Sequence, residues 1–255
     1  MSNSSIEHVY GINTVQQLIE HSASRMLKVA VSQERRDQRL LDVLDAAGCA
    51  GIAVETLDRH AFSAHLASVG IDESVNHQHV LASCRPAEQK DEAFLHALVR
   101  KSQQPVLLLL LDGVTDPHNL GACLRSANAA GAQAVVVPQD KAVGMTPVVR
   151  KVASGAAEIT PLVVVKNLAR CIQALQQEGV WVMGAAGEAE QTLHQLDLTA
   201  ATAIVMGSEG SGLRRLTRDR CDALFAIPMA GTVESLNVSV AAGVCLFEAR
   251  RQRLS

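Results

Sequence analysis

Val106–Leu111 reads VLLLLL, six apolar residues in a row between Pro105 and Asp112. A run that short, with no polar alternation, suits a strand buried on both faces, as at the centre of a parallel sheet. The chain beyond it keeps one rhythm. Strands are predicted at Ala134–Val137, Leu162–Val165, Val180–Met183 and Ala203–Met206. Helices are predicted between and after them, at about Asn119–Ala130, Pro147–Ser154, Leu168–Gln177 and Leu213–Asp219. Alternating strands and helices of this kind predict an α/β fold: a parallel sheet with helices on both faces and ligands at the carboxyl ends of the strands. There is no internal repeat.

Residues 1–85 read as a separate small α/β domain. A helical pattern starts at Asn13-Thr14, and Met26–Val31 reads as a strand. Arg35–Ala47 reads as a helix closed by Gly48, with further strands at Ile52–Thr56 and Val80–Ser83. Residues 86–104, a polar run after Pro86 followed by a short helical pattern at Phe94–Val99 and then Pro105, are predicted as a linker, which leaves 105–255 as the larger domain.

Composition narrows the function. With 48% hydrophobic and 19% charged residues the chain is globular. Aromatics at 2% are too few for a stacking platform of the kind that holds single-stranded nucleic acid. A net charge of −3 does not announce a polyanion partner, but a local basic face is what decides that. Two groups qualify: Arg25, Lys28, Arg35, Arg36 and Arg39, and Arg214, Arg215, Arg218 and Arg220 with Arg150 and Lys151. The six cysteines form no C-x-x-C pair, so no zinc site is expected, and they read as buried thiols of a cytoplasmic protein. Leu107–Leu111 is too short to span a bilayer.

Three stretches place polar groups beside glycine at the end of a predicted strand. In the first, 112–119 reads DGVTDPHN, with Arg125 further along the helix that Asn119 opens. Asp112, Asp116 and His118 invite a metal, but Asp-Pro before a helix is ordinary turn-and-cap chemistry, and no metal is expected. In the second, 204–213 reads IVMGSEGSGL. Its spacing is not the dinucleotide fingerprint, and Glu209 stands where a nucleophile elbow needs serine, so dehydrogenase and α/β-hydrolase readings both fail. In the third, 227–244 reads IPMAGTVESLNVSVAAGV. Leu224–Ile227 is predicted as a strand end, Ser235 as an N-cap, and about Leu236–Arg251 as a helix whose first turns are built from small residues.

These residues resemble a known family. NLGACLRS at 119–126, MGSEGSG at 206–212 and IPMAGTVESLNVSVA at 227–241 are similar to the three motifs of the SpoU (TrmH-like) branch of the SPOUT RNA methyltransferases. The likeness extends to YGIN at 10–13 and to 112–119. Where relatives carry a shorter H-Q-G segment before the last N-terminal strand, this chain has GIDESVNHQHV at 70–80, with His79 at the position of the glycine.

The resemblance implies a deep C-terminal trefoil knot, preceded by a small RNA-binding domain. It implies S-adenosylmethionine held by groups near Gly207, Ile227, Met229 and Leu236. It implies methyl transfer to the ribose 2′-OH of a guanosine in large-subunit (23S) ribosomal RNA, free or in a precursor particle, by a homodimer. By the same resemblance Arg125 activates the hydroxyl, and Asn119, Glu209, Ser235 and Asn237 hold Arg125 and the ribose. Arginine is a poor proton acceptor, so stabilising an alkoxide or gripping a phosphate suits Arg125 better, and the final proton acceptor stays open. Two alternatives remain: a transfer-RNA ribose methylase sharing these motifs, and an RNA-binding assembly factor without activity. Cofactor calorimetry with methyl incorporation into bulk RNA separates them.

Overall fold

Strand-forming segments with period-two apolar positions build the first unit of the computed structural model, which describes residues 6–254. The strands are β1 (Glu7–Tyr10), β2 (Met26–Ser32), β3 (Ala53–Leu57) and β4 (Val80–Cys84). Between them run α1 (Ile12–Ser22), α2 (Gln38–Cys49) and α3 (Arg59–Ser68). The sheet order is β1-β4-β2-β3, antiparallel except for the β2–β3 pair. Alternation sorts its side chains. Val9, Val29, Val31, Val80 and Ala82 pack with Ile12, Val15, Leu18, Leu40 and Val43 of α1 and α2. Tyr10, Ala30 and Leu81 face the other way, onto Phe62 and Leu66 of α3. Strand β1 and helix α3 are the elements that periodicity did not disclose.

Gln78 and His79, just before β4, both have left-handed backbone, with φ of 55° and 62°. Such a conformation costs a residue with a Cβ about 1–2 kcal/mol, and His79 stands where the resemblance puts glycine.

The second unit opens with α4 (Glu92–Lys101), inside the stretch expected to be a linker. Asp91 caps this helix, and Leu95 is fully buried in the second unit's core. Then come β5 (Leu107–Asp112), α5 (Pro117–Ala130) and β6 (Ala134–Pro138). After α6 (Pro147–Ala153) the chain continues through β7 (Leu162–Val165), α7 (Leu168–Gln177), β8 (Trp181–Ala185) and β9 (Thr202–Gly207). It ends with α8 (Arg215–Arg218), β10 (Ala223–Phe225) and α9 (Val238–Arg253). The six strands are all parallel, in the order β10-β8-β9-β5-β6-β7. Leu108, Leu110, Val136 and Val205 pack on Leu168, Ile172 and Leu175 of α7. Leu107, Leu109 and Leu111 are equally buried on the opposite face, the side of α5 and α9. Helices therefore cover both faces of the sheet, as the strand pattern predicts.

Residues Pro147–Ile159 cluster with the first unit, not with the sheet that brackets them in sequence. A buried ion network is the physical reason. Arg150, 4% exposed in its side chain, pairs with Glu158 and with Glu7 (3.2 Å), and Arg25 reaches Glu158 and Glu7 at 3.1 Å each. The Glu158 side chain is 1% exposed, so Arg150 and Glu158 neutralise one another out of water, with Arg25 and Glu7 completing the network at its wetter edge. Arg150 and Arg25 are thus structural and leave the predicted basic faces.

The last predicted strand is shorter than expected. β10 stops at Phe225, and Ala226 bonds to the 191–193 segment, accepting from Leu193 N at 2.9 Å. Ile227, Pro228 and Met229 follow in a loop outside the sheet, where a proline costs no ladder bond.

Candidate active site

Strands β5 and β9 are neighbours, and Asp112 pairs with Gly207 in register at their carboxyl ends. From β5 the chain steps outward to β6 and β7, then crosses to fill the other side with β8, β9 and β10. The crevice above β5 and β9 is the switch point, where open α/β sheets bind ligands.

Gly207 is required there by space. A Cβ on it would lie 2.1 Å from Gly212 C and 2.4 Å from Gly212 O. The chain folds back on itself after β9: Ser208 N donates to Gly212 O (3.1 Å) and Gly212 N to Ser208 O (3.0 Å). Gly210 and Gly212 supply the left-handed φ, 83° and 64°, that this tight return needs. Asp112 pins its far end. One carboxylate oxygen accepts from Arg214 N at 2.9 Å, and the other lies 3.4 Å from the Arg214 guanidinium. Asp116 instead caps α5, accepting from His118 N at 3.0 Å. Both aspartates therefore have structural roles. Among the described residues no group of three or more His, Cys, Asp or Glu is placed to hold a metal ion.

The folded-back loop presents Glu209, and the other two motifs meet it. Glu209 Oε1 accepts from Asn119 Nδ2 (3.1 Å) and from Asn237 Nδ2 (2.6 Å). Asn237 Nδ2 also donates to Asn119 Oδ1 at 2.9 Å. Asn119 sits in the first turn of α5. Asn237 is the N-cap of α9, its Oδ1 accepting from Ser239 N at 3.0 Å. That role was expected of Ser235, and the helix accordingly begins two residues later than expected. Three segments far apart in sequence thus share one hydrogen-bonded cluster, with Asn119 buried and Glu209 and Asn237 facing water.

Beside the cluster lies a cavity of about 420 Å³. Its walls include Met206, Gly207, Glu209, Gly210, Ser235, Leu236, Asn237 and Val238. Of the four residues expected at a cofactor, Gly207 and Leu236 line it, whereas Ile227 and Met229 do not. Ser235 lines it without a hydrogen bond to the cluster.

Arg125 is set apart. Six residues beyond Asn119 on α5, it stands about 9 Å further along the axis and on a different face. It is exposed, and among the described residues no hydrogen bond or ion pair engages it. The cluster therefore does not hold Arg125, contrary to expectation. The other arginines divide likewise: Arg214 pairs with Asp112, Arg218 with Glu188 and Arg215 with Asp219 (3.8 Å). What the sequence reading missed was the anchoring role of Asp112, although a carboxylate closing a wholly apolar strand was the signal.

Of the six thiols expected to be buried, Cys49 is exposed and the other five are buried or half-buried. Burial pushes Cys123, Cys171, Cys221 and Cys245 up to about 12, so none is a nucleophile at neutral pH.

Residues 106–247 match the family described as SpoU rRNA Methylase, and residues 8–90 match the domain described as RNA 2′-O ribose methyltransferase substrate binding. The chain is 51% identical to a 23S rRNA (guanosine-2′-O-)-methyltransferase of Coxiella burnetii, over 98% of this chain and 97% of that protein. It is 51% identical to the enzyme of the same description from Pseudomonas putida, over 98% of each. Among solved structures it resembles the SpoU methyltransferase AviRb of Streptomyces viridochromogenes in complex with AdoMet. The TM-score is 0.78 at 22% identity, covering 98% of this chain and 91% of that one, a likeness of fold.

Proposed function

The chain belongs to the SpoU rRNA methylase family, and from that membership we propose its reaction. It transfers a methyl group from S-adenosylmethionine to the ribose 2′-OH of a guanosine in 23S ribosomal RNA. The observation that carries the reading into this chain's geometry is the Asn119–Glu209–Asn237 cluster at the mouth of the switch-point cavity.

The cavity fits the cofactor in size and lining. Its volume of about 420 Å³ lies in the range of small-molecule sites. One wall includes Gly207, Gly210 and Gly212, where no Cβ intrudes, and another is the apolar Leu236 and Val238. Gly207 and Leu236 would hold the cofactor, with Ile227 and Met229 in the adjoining loop. When bound, the cofactor supplies an electrophilic sulfonium methyl that needs no metal.

The remaining work belongs to the protein. Glu209, fixed by two amides, orients Asn119 and Asn237 and leaves its second oxygen for a ribose hydroxyl. Ser235 offers a further hydroxyl at the cavity wall. Arg125, without an internal carboxylate, directs its guanidinium at the RNA and stabilises the developing alkoxide or the neighbouring phosphate. Positioning of the ribose oxygen by these residues would supply the chief gain in rate.

The same reading includes the trefoil knot and the homodimer. Supporting the knot is the run of small residues Ala241, Ala242 and Gly243 where α9 packs on α5. Supporting the dimer is a stripe on α9, Val240, Val244 and Phe247, left 52%, 38% and 51% exposed at helical spacing. The protein acts in the cytoplasm, where its RNA substrate is assembled. No helix among the described residues is long and apolar enough to cross a membrane.

The test is a map of 2′-O-methyl marks on 23S RNA from cells with and without the gene. One guanosine should lose its mark and regain it on complementation. An unchanged 23S map, or a mark lost from transfer RNA instead, refutes the assignment.

A further inference from the structure

Outside the methyl-transfer cavity, backbone strain is gathered in one place. Four described residues other than glycine have left-handed φ: Gln78, His79, Lys141 and Ser154. All but Lys141 belong to a single constellation in the first unit. Gln78 Oε1 accepts from Ile12 N (3.1 Å) and from Lys151 Nζ (2.9 Å). Asn13 Nδ2 donates to Ser154 Oγ at 3.0 Å, and Asn13 Oδ1 accepts from Arg39. Arg35 Nη1 donates to Gln78 O at 3.4 Å. Gly11, also left-handed, lies so close that a Cβ on it would be 2.3 Å from Lys151 Nζ. The YGIN stretch, the end of the 70–80 segment and the inserted 147–159 segment are thereby drawn together.

Left-handed outliers persist only where surroundings over-determine them, and they concentrate at binding sites. Core packing does not account for these, since Asn13 and Arg39 are exposed and Gln78, Lys151 and Ser154 only half-buried. The charge is one-sided. Among the described residues no carboxylate lies within ion-pair distance of Lys151 or Arg39, although Asp37 lies near enough for the Arg39 charge to help hold its carboxyl down. Asp37 is taken by Arg35, and Glu34 faces Arg59 (3.7 Å) and His79 (3.9 Å). Among the described residues, Lys151 meets the Gln78 amide and the face of Tyr10, 5.9 Å from the ring centre. Burial first, and Arg35 second, hold its pKa below the ordinary lysine value, the mark of a cation short of an anion.

We propose that this constellation is a phosphate-binding site that grips the RNA backbone, with Lys151 as its central cation and Arg39 beside it. Asn13 and Gln78 supply the polar groups that a ribose would meet. The site rests on the RNA methyltransferase reading and goes beyond the matched substrate-binding region, residues 8–90, because Lys151 and Ser154 come from the inserted segment. The insertion of 147–159 into the first unit therefore has a use besides the ion network: it completes an RNA contact that residues 8–90 alone lack.

The test uses the full-length protein and a 23S RNA transcript, with binding measured across a range of salt concentrations. Lys151→Ala and Arg39→Ala should each lower RNA affinity about tenfold at low salt and reduce the slope of log K against log salt by roughly 0.7–0.9, one phosphate contact each. S-adenosylmethionine affinity should not change, and saturating RNA should restore the methylation rate. Arg39 is exposed, so its variant decides the matter if Lys151→Ala fails to fold. Parent-like affinity and slope in Arg39→Ala and in any folded Lys151→Ala overturn the site. That result differs from failure of the functional reading, in which the unmodified protein itself would not methylate 23S RNA.

Discussion

Gly207 shows how one missing methyl group decides a site. Its Cβ position is filled by the Gly212 carbonyl, so the chain turns back against the end of β9 and leaves backbone exposed to the cavity. Gly207→Ala must push that return strand away. We expect S-adenosylmethionine affinity to fall by roughly tenfold or more, read by calorimetry, with the midpoint of thermal unfolding also lowered. Arg125 is the opposite case, a side chain that supports nothing in the fold. Arg125→Ala should leave unfolding and cofactor affinity at parent values while lowering the methyl-transfer rate about 10²–10³-fold. Near-parent turnover would remove Arg125 from the chemistry.

At the scale of elements, α9 carries most of the organisation. Its N-cap, Asn237, is also the amide that ties α5 to the 208–212 loop, so the start of the helix and the site form together. Its far end is held by Glu248, which accepts from Arg251 at 2.9 and 2.8 Å and from Gln252 at 2.9 Å, while Gln252 donates on to Leu196 O. The bonds from Arg251, and next that from Gln252, hold the Glu248 carboxyl down at about 2, against 4.5 for an ordinary glutamate. A carboxyl more acidic in the folded than in the unfolded chain binds its proton preferentially on unfolding. Its contribution is therefore full above about pH 4.5 and is lost as pH falls towards 2. Glu248→Gln should flatten the loss of stability over that window in urea titrations, and an unchanged slope would show that the ion pair contributes nothing.

For the whole molecule, the chain visits its first unit twice. The second visit, Pro147–Ile159, is fastened by Glu158 between Arg150 and Arg25. Glu158→Gln leaves the buried Arg150 to share the part-exposed Glu7 with Arg25 as their one carboxylate in the network, and should destabilise the first unit by about 3 kcal/mol, seen as loss of amide protection in α1 and β1. At the other extreme is the exposed α9 stripe. If two copies meet there, Phe247→Arg should shift the light-scattering mass from twice the chain mass to once, and lower methyl transfer with it. An unaltered dimer would move the interface elsewhere.

Much of this was legible in order along the chain. Wherever burial is periodic or continuous, as in β5, β7 and α7, the apolar pattern alone located the element, because those side chains answer to the sheet beneath them. The glycine-flanked polar motifs were legible too, since close backbone approach leaves few other residues possible. Other features depended on partners far away in sequence. Helix α4 showed as the short helical pattern Phe94–Val99, but its place in the second unit's core did not, because only Leu95 of its residues is fully buried. The N-cap passed from Ser235 to Asn237 because the Glu209 and Asn119 side chains meet that amide. Arg150 looked like a surface cation until Glu158 and Glu7 closed around it. Local sequence determined which segments become strands and helices and which backbone stays bare. Only the tertiary structure decided which charges are spent inside the protein and which remain free for a ligand, because that depends on who the spatial neighbours are.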